Sequence, residues 1–301
     1  MRVLVTGARG MLGRELEPRL EQAGFAVLGP ARASLDITLR EEVLTALDRH
    51  RPGLVINCAA YTRVDQAESE AELAFAVNRE GARHLAEACR GLGIPLVHLS
   101  TDYVFDGRSP QPYREEDPAR PLNVYGLSKW EGEEMVRREL PRHLIVRTSW
   151  LYGAHGRNFV KTILRLGRQQ EEIRVVADQT GCPTWAGDLA AALTSMAERI
   201  QEAPGGVSWG TYHFCGAGHT TWYGLAQEIL ARQRLQESWR ALRLVPITTA
   251  EYPTAARRPG WTVLDCRKVT ATFGITPPPW QQGVAAVLAE LSKSPPPRGL
   301  A

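Results

Sequence analysis

The first half of the chain alternates short apolar runs with amphipathic helical segments, and this alternation constrains the fold more than any other feature. The apolar runs are residues 2–6, 25–28, 54–57, 95–100 and 143–148. Strands that alternate with helices pair in parallel, and their right-handed crossovers place helices on both faces of the sheet. The sequence therefore predicts a doubly wound α/β fold with a parallel sheet.

Charge and composition exclude several other classes of protein. The formal net charge is +3, too close to neutral to require nucleic acid or an anionic membrane as a partner. No apolar run reaches the length of a membrane span, and no charged-then-apolar leader precedes the first strand. The five cysteines are scattered without a Cys-x-x-Cys pair, which argues against a disulfide framework or a zinc site. We expect a cytoplasmic protein with reduced thiols.

A glycine-rich turn joins the first apolar run to the first helix. Gly7, Gly10 and Gly13 form a Gly-x-x-Gly-x-x-Gly pattern. Glycines let the turn bend tightly and let backbone amides approach a pyrophosphate at the positive end of the following helix. In this context the pattern predicts a Rossmann-type dinucleotide site rather than a turn that binds nothing.

The residue that ends the second strand usually distinguishes the two nicotinamide cofactors. An acid there binds the ribose 2′-hydroxyl, whereas an arginine accommodates a 2′-phosphate. The stretch 28–32 contains no acid and ends in Arg32. Arg32 therefore favours NADPH, with NADH as the alternative.

Tyr125 and Lys129 are four residues apart and lie on one face of a helix that begins near residue 123. A nearby cation favours an ionised phenol, so we expect Lys129 to lower the pKa of Tyr125 and allow proton exchange near neutral pH. Thr101 ends the fourth apolar run, at the edge of the sheet where ligands bind. Its hydroxyl is a candidate substrate contact; the alternative is a cap for the next segment.

These three residues resemble the catalytic hydroxyl, tyrosine and lysine of the extended short-chain dehydrogenases/reductases. Over nearly the whole chain, longer strings resemble one family within that group, the dTDP-4-dehydrorhamnose reductases. The strings are residues 59–68, 100–107, 121–129, 147–153, 177–184 and 257–265. One departure is Cys182, where a small residue such as alanine is common.

The resemblance implies which residues contact the ligands. The cofactor contacts would be Gly10, Met11, Leu12, Asp36, Ile37, Ala60, Tyr61 and Thr62, together with Tyr125 and Lys129. The sugar nucleotide would contact Thr101, Asp102 and Trp150. Relatives sometimes dimerise with Mg²⁺; the sequence locates no such site, so the metal stays open and a homodimer is expected only by analogy.

The implied reaction is the NADPH-dependent reduction of the C4 ketone of dTDP-4-dehydro-L-rhamnose to dTDP-L-rhamnose. Tyr103 stands where dehydratases of the same superfamily carry an acid, which favours reduction over dehydration. Two alternatives stay open. One is a reductase of another 4-keto deoxysugar nucleotide, and the other is a non-catalytic, cofactor-binding subunit similar to the regulatory subunit of methionine adenosyltransferase.

The regular alternation ends near residue 150. We expect residues 1–150 to form the dinucleotide-binding domain and residues 151–301 to form mainly a smaller, mixed α/β substrate lobe. The length of 301 residues suggests two units or one large α/β unit. Parts of the later chain are expected to return to the first domain.

Overall fold

The computed structural model describes residues 1–203, 205–233 and 243–293. Its central sheet consists of β1 (Arg2–Thr6), β2 (Ala26–Leu28), β3 (Leu54–Asn57), β4 (Leu96–Thr101), β5 (His143–Thr148) and β10 (Gly210–His213). The six strands pair in parallel in the order β10-β5-β4-β3-β1-β2. The strand order therefore reverses beside β1, and ligands of such sheets bind at the carboxyl ends of the strands at this switch point.

Helices cover both faces of the sheet, which confirms the predicted doubly wound α/β fold. One face packs against α1 (Met11–Gln22) and α8 (Ala186–Glu202), and the other against α2 (Arg40–His50), α5 (Gly81–Leu92) and α6 (Val124–Glu139). An apolar core lies on each face of the sheet, and strand β1 contributes to both. Val3 and Val5 pack in the core with α1 and α8, and Leu4 packs in the core with α2, α5 and α6. Successive side chains of a strand point to opposite faces, so a continuous apolar run fills both.

The segment between β3 and β4 is divided into several helical pieces. It contains α3 (Val64–Ala67), α4 (Ala71–Phe75), a π-helical turn (Ala76–Glu80) and then α5. Asn78 in the π turn accepts a hydrogen bond from the Tyr61 amide at 2.9 Å and donates to the Tyr61 carbonyl at 3.1 Å. The irregular turn thus fixes the loop that follows β3, and π turns often occur at functional sites.

The remaining elements build a smaller lobe with its own apolar core. Its short strands are β6 (Leu151–Tyr152), β7 (Glu172–Val176), β8 (Thr180–Gly181), β9 (Thr184–Trp185), β11 (Thr220–Thr221) and β12 (Arg243–Ile247). Its helices are α7 (Phe159–Gln169), α9 (Trp222–Gln233) and α11 (Trp280–Lys293). The core lies between α7, α9 and α11, with β7 and β12 paired beside it. The remaining helix, α10 (Arg267–Phe273), packs instead against α8 and β10 in the core of the central sheet.

The later chain also contributes to the first domain. Strand β10 pairs with β5, and α8 packs its buried residues against α1. Residues before and after position 150 therefore share one sheet and one core. In the part of the chain that the structure describes, none of the helices has the length and apolarity needed to cross a bilayer.

Candidate active site

A cavity of about 350 Å³ opens at the carboxyl ends of β1 and β3, beside the switch point. The predicted cofactor residues that line it are Gly7, Gly10, Arg32, Asp36, Ile37, Ala60, Tyr61 and Thr62. The other predicted cofactor contacts are not part of the lining: Met11, Leu12, Gly13, Tyr125 and Lys129. Leu12 is buried in the core below the turn, and the side chain of Met11 lies close to Gly153.

The glycine turn could not be built from larger residues. Gly7 has φ of +67°, and a Cβ there would lie 2.6 Å from the Ala59 amide nitrogen. A Cβ on Gly13 would lie 2.5 Å from the Cα of Ala8. The backbone is therefore folded tightly on itself, and the amino terminus of α1 opens on the cavity. The positive end of the helix dipole faces the place where a dinucleotide pyrophosphate fits.

Arg32 and Asp36 form the outer rim of this cavity. Arg32 Nε lies 3.0 Å from Asp36 Oδ2, and the arginine side chain is 70% exposed. Burial alone would raise the pKa of Asp36, but hydrogen bonds from Thr38 and Arg32 outweigh it and lower the pKa. The guanidinium is thus held at the rim by one carboxylate while most of its surface faces solvent.

Two side-chain hydrogen-bond acceptors fix the start of α6, and the start of the helix determines the position of Tyr125. The Asn123 side chain accepts a hydrogen bond from the Gly126 amide at 2.8 Å, which caps the helix. Glu68 accepts from the Val124 amide at 2.9 Å. Tyr125 therefore lies in the first turn, where its phenol is beside Thr101.

The predicted lowering of the Tyr125 pKa by Lys129 is wrong. Burial raises the pKa of Tyr125 to about 12, and the hydrogen bond to Thr101 only partly opposes this effect. Spacing along a helix shows which side chains share a face, but it does not show how much water the fold removes from them. The phenol is therefore protonated at neutral pH.

Lys129 is almost completely buried and points to the end of β4. Its Nζ donates a 2.6 Å hydrogen bond to the Leu99 carbonyl. Burial lowers the pKa of Lys129 from 10.5 to about 8, against the opposing effects of Glu133 and Cys58. The amine therefore changes its charge in a range that an enzyme assay can reach.

Asp102 connects Thr101 to the smaller lobe. It accepts hydrogen bonds from the Thr101 hydroxyl at 3.0 Å and from the Ser149 hydroxyl at 2.9 Å. Burial raises its pKa to about 6, although these hydrogen bonds lower it. Thr101 also accepts from the Tyr103 amide at 3.2 Å, so it caps the following turn as well as contacting Tyr125.

Trp150 is held in an unusual conformation at the start of the smaller lobe. Its φ is +44°, which is strained for a bulky residue. Its indole stacks on Trp222 with ring centroids 3.5 Å apart and planes 3° from parallel. A Cβ on Gly181 would lie 2.5 Å from the Trp150 ring. Because 72 positions separate the two tryptophans, sequence patterns could not pair them.

Sequence reasoning also missed a buried polar group beside Tyr125. The rings of Tyr103 and Tyr125 meet edge to face with centroids 5.7 Å apart. The Tyr103 phenol lies beside the Arg258 guanidinium, and Arg258 Nη2 lies 2.7 Å from Asp65 Oδ2. This contact docks the segment after β12 against the candidate site.

A group of possible metal ligands lies away from this crevice. Ligand atoms of Glu15, His155 and Glu290 all fall within 4.8 Å of one another. Burial and the nearby Glu290 carboxylate raise the pKa of Glu15, and the Glu15 Oε1 atom is buried without a hydrogen-bond partner. The sequence search could not find this group, because its members are far apart along the chain.

Comparison with known proteins places this architecture in a family. The family model described as the RmlD substrate binding domain matches residues 1–293. The chain belongs to the RmlD substrate-binding domain family. Among the relatives, the dTDP-4-dehydrorhamnose reductase of Sinorhizobium fredii (strain NBRC 101917 / NGR234) is 43% identical over 282 residues, which cover 94% of this chain and 95% of that protein.

Two further proteins that are similar to this chain bear on its substrate and its cofactor. The dTDP-4-keto-6-deoxy-D-glucose reductase of Streptomyces niveus is 48% identical over 227 residues, 75% of this chain and 76% of that protein. A crystal structure of the dTDP-4-dehydrorhamnose reductase of Bacillus anthracis str. Ames in complex with NADP has a TM-score of 0.88 and 38% identity. It covers 96% of this chain and 99% of that one.

Proposed function

We propose that this chain reduces the C4 ketone of dTDP-4-dehydro-L-rhamnose to dTDP-L-rhamnose, with NADPH as the preferred reductant. The observation that carries the proposal is the placement of Tyr125 beside Thr101, next to the buried Lys129 and the dinucleotide cavity. Membership of the RmlD family and the reductases found among its relatives support the same reaction.

The residues of the crevice fit a bound dinucleotide. The glycine turn leaves no room for side chains where the backbone must approach a pyrophosphate, and the cavity continues to Arg32 on one side and Tyr61 on the other. NADPH, when bound, supplies the hydride that the reaction needs. The side chains of this chain supply the proton and the positions of the reacting groups.

Tyr125 suits the role of proton donor in a reduction. Because its pKa is raised to about 12, the phenol carries its proton at neutral pH and releases it only when negative charge develops on the ketone oxygen. Thr101 donates a second hydrogen bond to that oxygen once its hydroxyl, which donates to Asp102 in this structure, turns towards the substrate. Lys129, in its charged form, would hold the nicotinamide ribose of the cofactor.

Activity is expected to fall as the pH rises through about 8. Above the pKa of Lys129, which burial lowers to about 8, the amine is neutral and holds the nicotinamide ribose less strongly. The measurement is kcat/KM with NADPH and the keto sugar across the neutral and alkaline range, with circular dichroism at each pH as a control for unfolding. A rate that stays constant through pH 8 in the folded protein would contradict this role for Lys129.

Arg32→Ala is expected to raise the KM for NADPH about ten-fold and leave the KM for NADH nearly unchanged, because a charged hydrogen bond to the 2′-phosphate is lost. Arg40→Ala is the matched control, since Arg40 is a half-exposed, carboxylate-paired arginine on α2. Steady-state kinetics with both cofactors give the result. Equal changes in the KM for NADPH and the KM for NADH would show that Arg32 does not bind the 2′-phosphate.

The direct test of the proposed function is the oxidation of NADPH and NADH in the presence of dTDP-4-dehydro-L-rhamnose. Other 4-keto deoxysugar nucleotides, with thymine and with other bases, serve as comparison substrates. We expect the highest kcat/KM for dTDP-4-dehydro-L-rhamnose with NADPH. Cofactor binding without turnover of any keto sugar would instead favour the regulatory-subunit alternative.

A reductase of another 4-keto deoxysugar nucleotide is the second candidate. The observation that favours it is the 48% identity to a relative named dTDP-4-keto-6-deoxy-D-glucose reductase. Both candidates use the same hydride and proton transfers at C4. A larger kcat/KM for a different sugar in the assay above would select this candidate.

The homodimer, the cytoplasmic location and Mg²⁺ stay predictions. For a divalent cation, Glu15, Glu290 and His155 are the residues that would hold it. Two carboxylates fit Mg²⁺, whereas an imidazole is a better ligand for Mn²⁺ or Zn²⁺. Thermal shifts with each cation, in the wild type and in Glu15→Gln, would identify the ion, and size-exclusion chromatography would give the oligomeric state.

A further inference from the structure

Three of the five cysteines meet in one cluster, although the sequence scatters them. The Sγ atoms of Cys215 and Cys266 are 3.5 Å apart, and Cys215 also contacts the thiol of Cys182. All five cysteines are free thiols. The cluster lies in the small apolar core between the central sheet and the segment after β12.

The backbone holds the closest two sulfurs in place. Cys215 follows β10, where the Phe214 amide donates to the Arg147 carbonyl at 2.9 Å. Cys266 precedes α10, and the Asp265 amide beside it donates to the Tyr113 carbonyl at 2.8 Å. A disulfide requires an S–S distance of about 2.05 Å. The two sulfurs therefore need to approach by about 1.5 Å, which side-chain rotation can supply.

We propose that Cys215 and Cys266 are a redox modification site at which a peroxide forms a disulfide. In the first step the Cys266 sulfur attacks hydrogen peroxide, which gives a sulfenic acid and one water molecule. In the second step the Cys215 sulfur attacks the sulfenic acid, the S–S bond forms and a second water leaves. Overall, the two thiols lose two protons and two electrons, and one peroxide is reduced to two waters.

The exposure of each sulfur to solvent explains why peroxide first oxidises Cys266 and why Cys266 then pairs with Cys215. Cys266 is half-buried, whereas Cys215 and Cys182 are buried. Hydrogen bonds with the two neighbouring thiols and burial raise the pKa of Cys215, so its thiol reacts only after Cys266 has been activated. Cys182 contacts Cys215 but offers peroxide no exposed sulfur. The proposal concerns thiol chemistry alone and does not depend on the reductase reaction.

The disulfide would join two segments that are 51 positions apart in the sequence. A cross-link that closes a long loop restricts the unfolded chain and so stabilises the folded state. For the full-length protein we expect the melting temperature to rise by about 5–10 °C on oxidation. A thiol reductant should reverse the change.

The test uses the full-length protein treated with hydrogen peroxide, alkylated and analysed by intact mass and peptide mapping, with thermal melting in parallel. We expect loss of two hydrogen atoms, a peptide pair containing Cys215 and Cys266, and the higher melting temperature. Cys266→Ser should show none of these changes. Cys89→Ser, which changes a buried cysteine in α5, should behave like the wild type.

Three results would overturn the proposal, and each can be read from the wild type even where a variant folds poorly. They are a mass increase from added oxygen without a disulfide, a mapped disulfide that contains Cys182, and unchanged thiols under peroxide that oxidises the same protein after unfolding. A disulfide between Cys215 and Cys266 that leaves the melting temperature unchanged would contradict the stabilising role.

Discussion

Tyr125→Phe is expected to lower kcat by about 10²- to 10⁴-fold, because the variant removes the proposed proton donor. The substitution deletes one oxygen and leaves the ring that packs edge to face on Tyr103, so the site should keep its shape. The dissociation constant for NADPH should therefore change little. Single-turnover kinetics with the keto sugar, together with NADPH fluorescence titration, separate the two effects.

A matched control is Tyr252→Phe, which removes the same hydroxyl from a side chain that is 57% exposed. It should leave both kcat and NADPH binding unchanged. If Tyr125→Phe kept near-normal turnover, another group would have to donate the proton, and the assignment of Tyr125 would be wrong. A large loss of NADPH affinity would instead point to a structural role for the phenol.

Arg147→Met is expected to lower the free energy of unfolding by about 3–5 kcal/mol, because the buried Glu133 carboxylate loses its fully buried, bidentate partner and keeps only the partly exposed Arg137. Arg147 Nε and Nη2 donate to the two oxygens of Glu133 at 2.9 and 2.7 Å. The two side chains are 1% and 0% exposed. Glu133 is on α6, one turn after Lys129, so this pair also anchors the catalytic helix to β5. Urea denaturation monitored by circular dichroism gives the measurement.

The same ion pair predicts how stability depends on pH. Burial alone would raise the pKa of Glu133, but Arg147 and Arg137 outweigh it and lower the pKa from 4.5 to about 2. Because the folded pKa is below the unfolded one, this contribution is complete above about pH 4.5 and is lost as the pH falls through about 2. The difference between wild type and Arg147→Met should therefore shrink as the solution is acidified.

Two variants distinguish the loss of the pair from a general defect in packing. Arg137→Met removes a partly exposed partner of Glu133 and should cost much less. The double variant Glu133→Leu with Arg147→Met removes both buried charges and should recover much of the lost stability. A double variant as unstable as Arg147→Met would show that side-chain shape, not the unpaired charge, determines the loss.

Local patterns were sufficient to predict the sheet and the placement of Tyr125 and Lys129. Strand β5 occupies residues 143–148 as expected, and α6 begins within one residue of the predicted start. Both depend on apolar runs, turn residues and helical spacing, which neighbouring positions determine. The π turn at Asn78 could not be predicted in this way, because local patterns do not show its hydrogen bonds with Tyr61 in the loop after β3.

The features that the sequence did not reveal all depend on distant residues or on burial. The direction of the Tyr125 pKa shift follows from the loss of water around the phenol, which no spacing rule describes. The stacked Trp150 and Trp222 and the close sulfurs of Cys215 and Cys266 join different parts of the chain. Such contacts appear only when the smaller lobe is placed against the sheet.

The most direct test of the central claim is the transfer of deuterium from NADPH labelled at the reactive position of the nicotinamide. After reaction with dTDP-4-dehydro-L-rhamnose, the product is analysed by mass spectrometry and NMR. The account predicts dTDP-L-rhamnose with one deuterium bound to C4 of the sugar. Oxidation of NADPH without deuterium at C4, or no product at all from the folded protein, would contradict it.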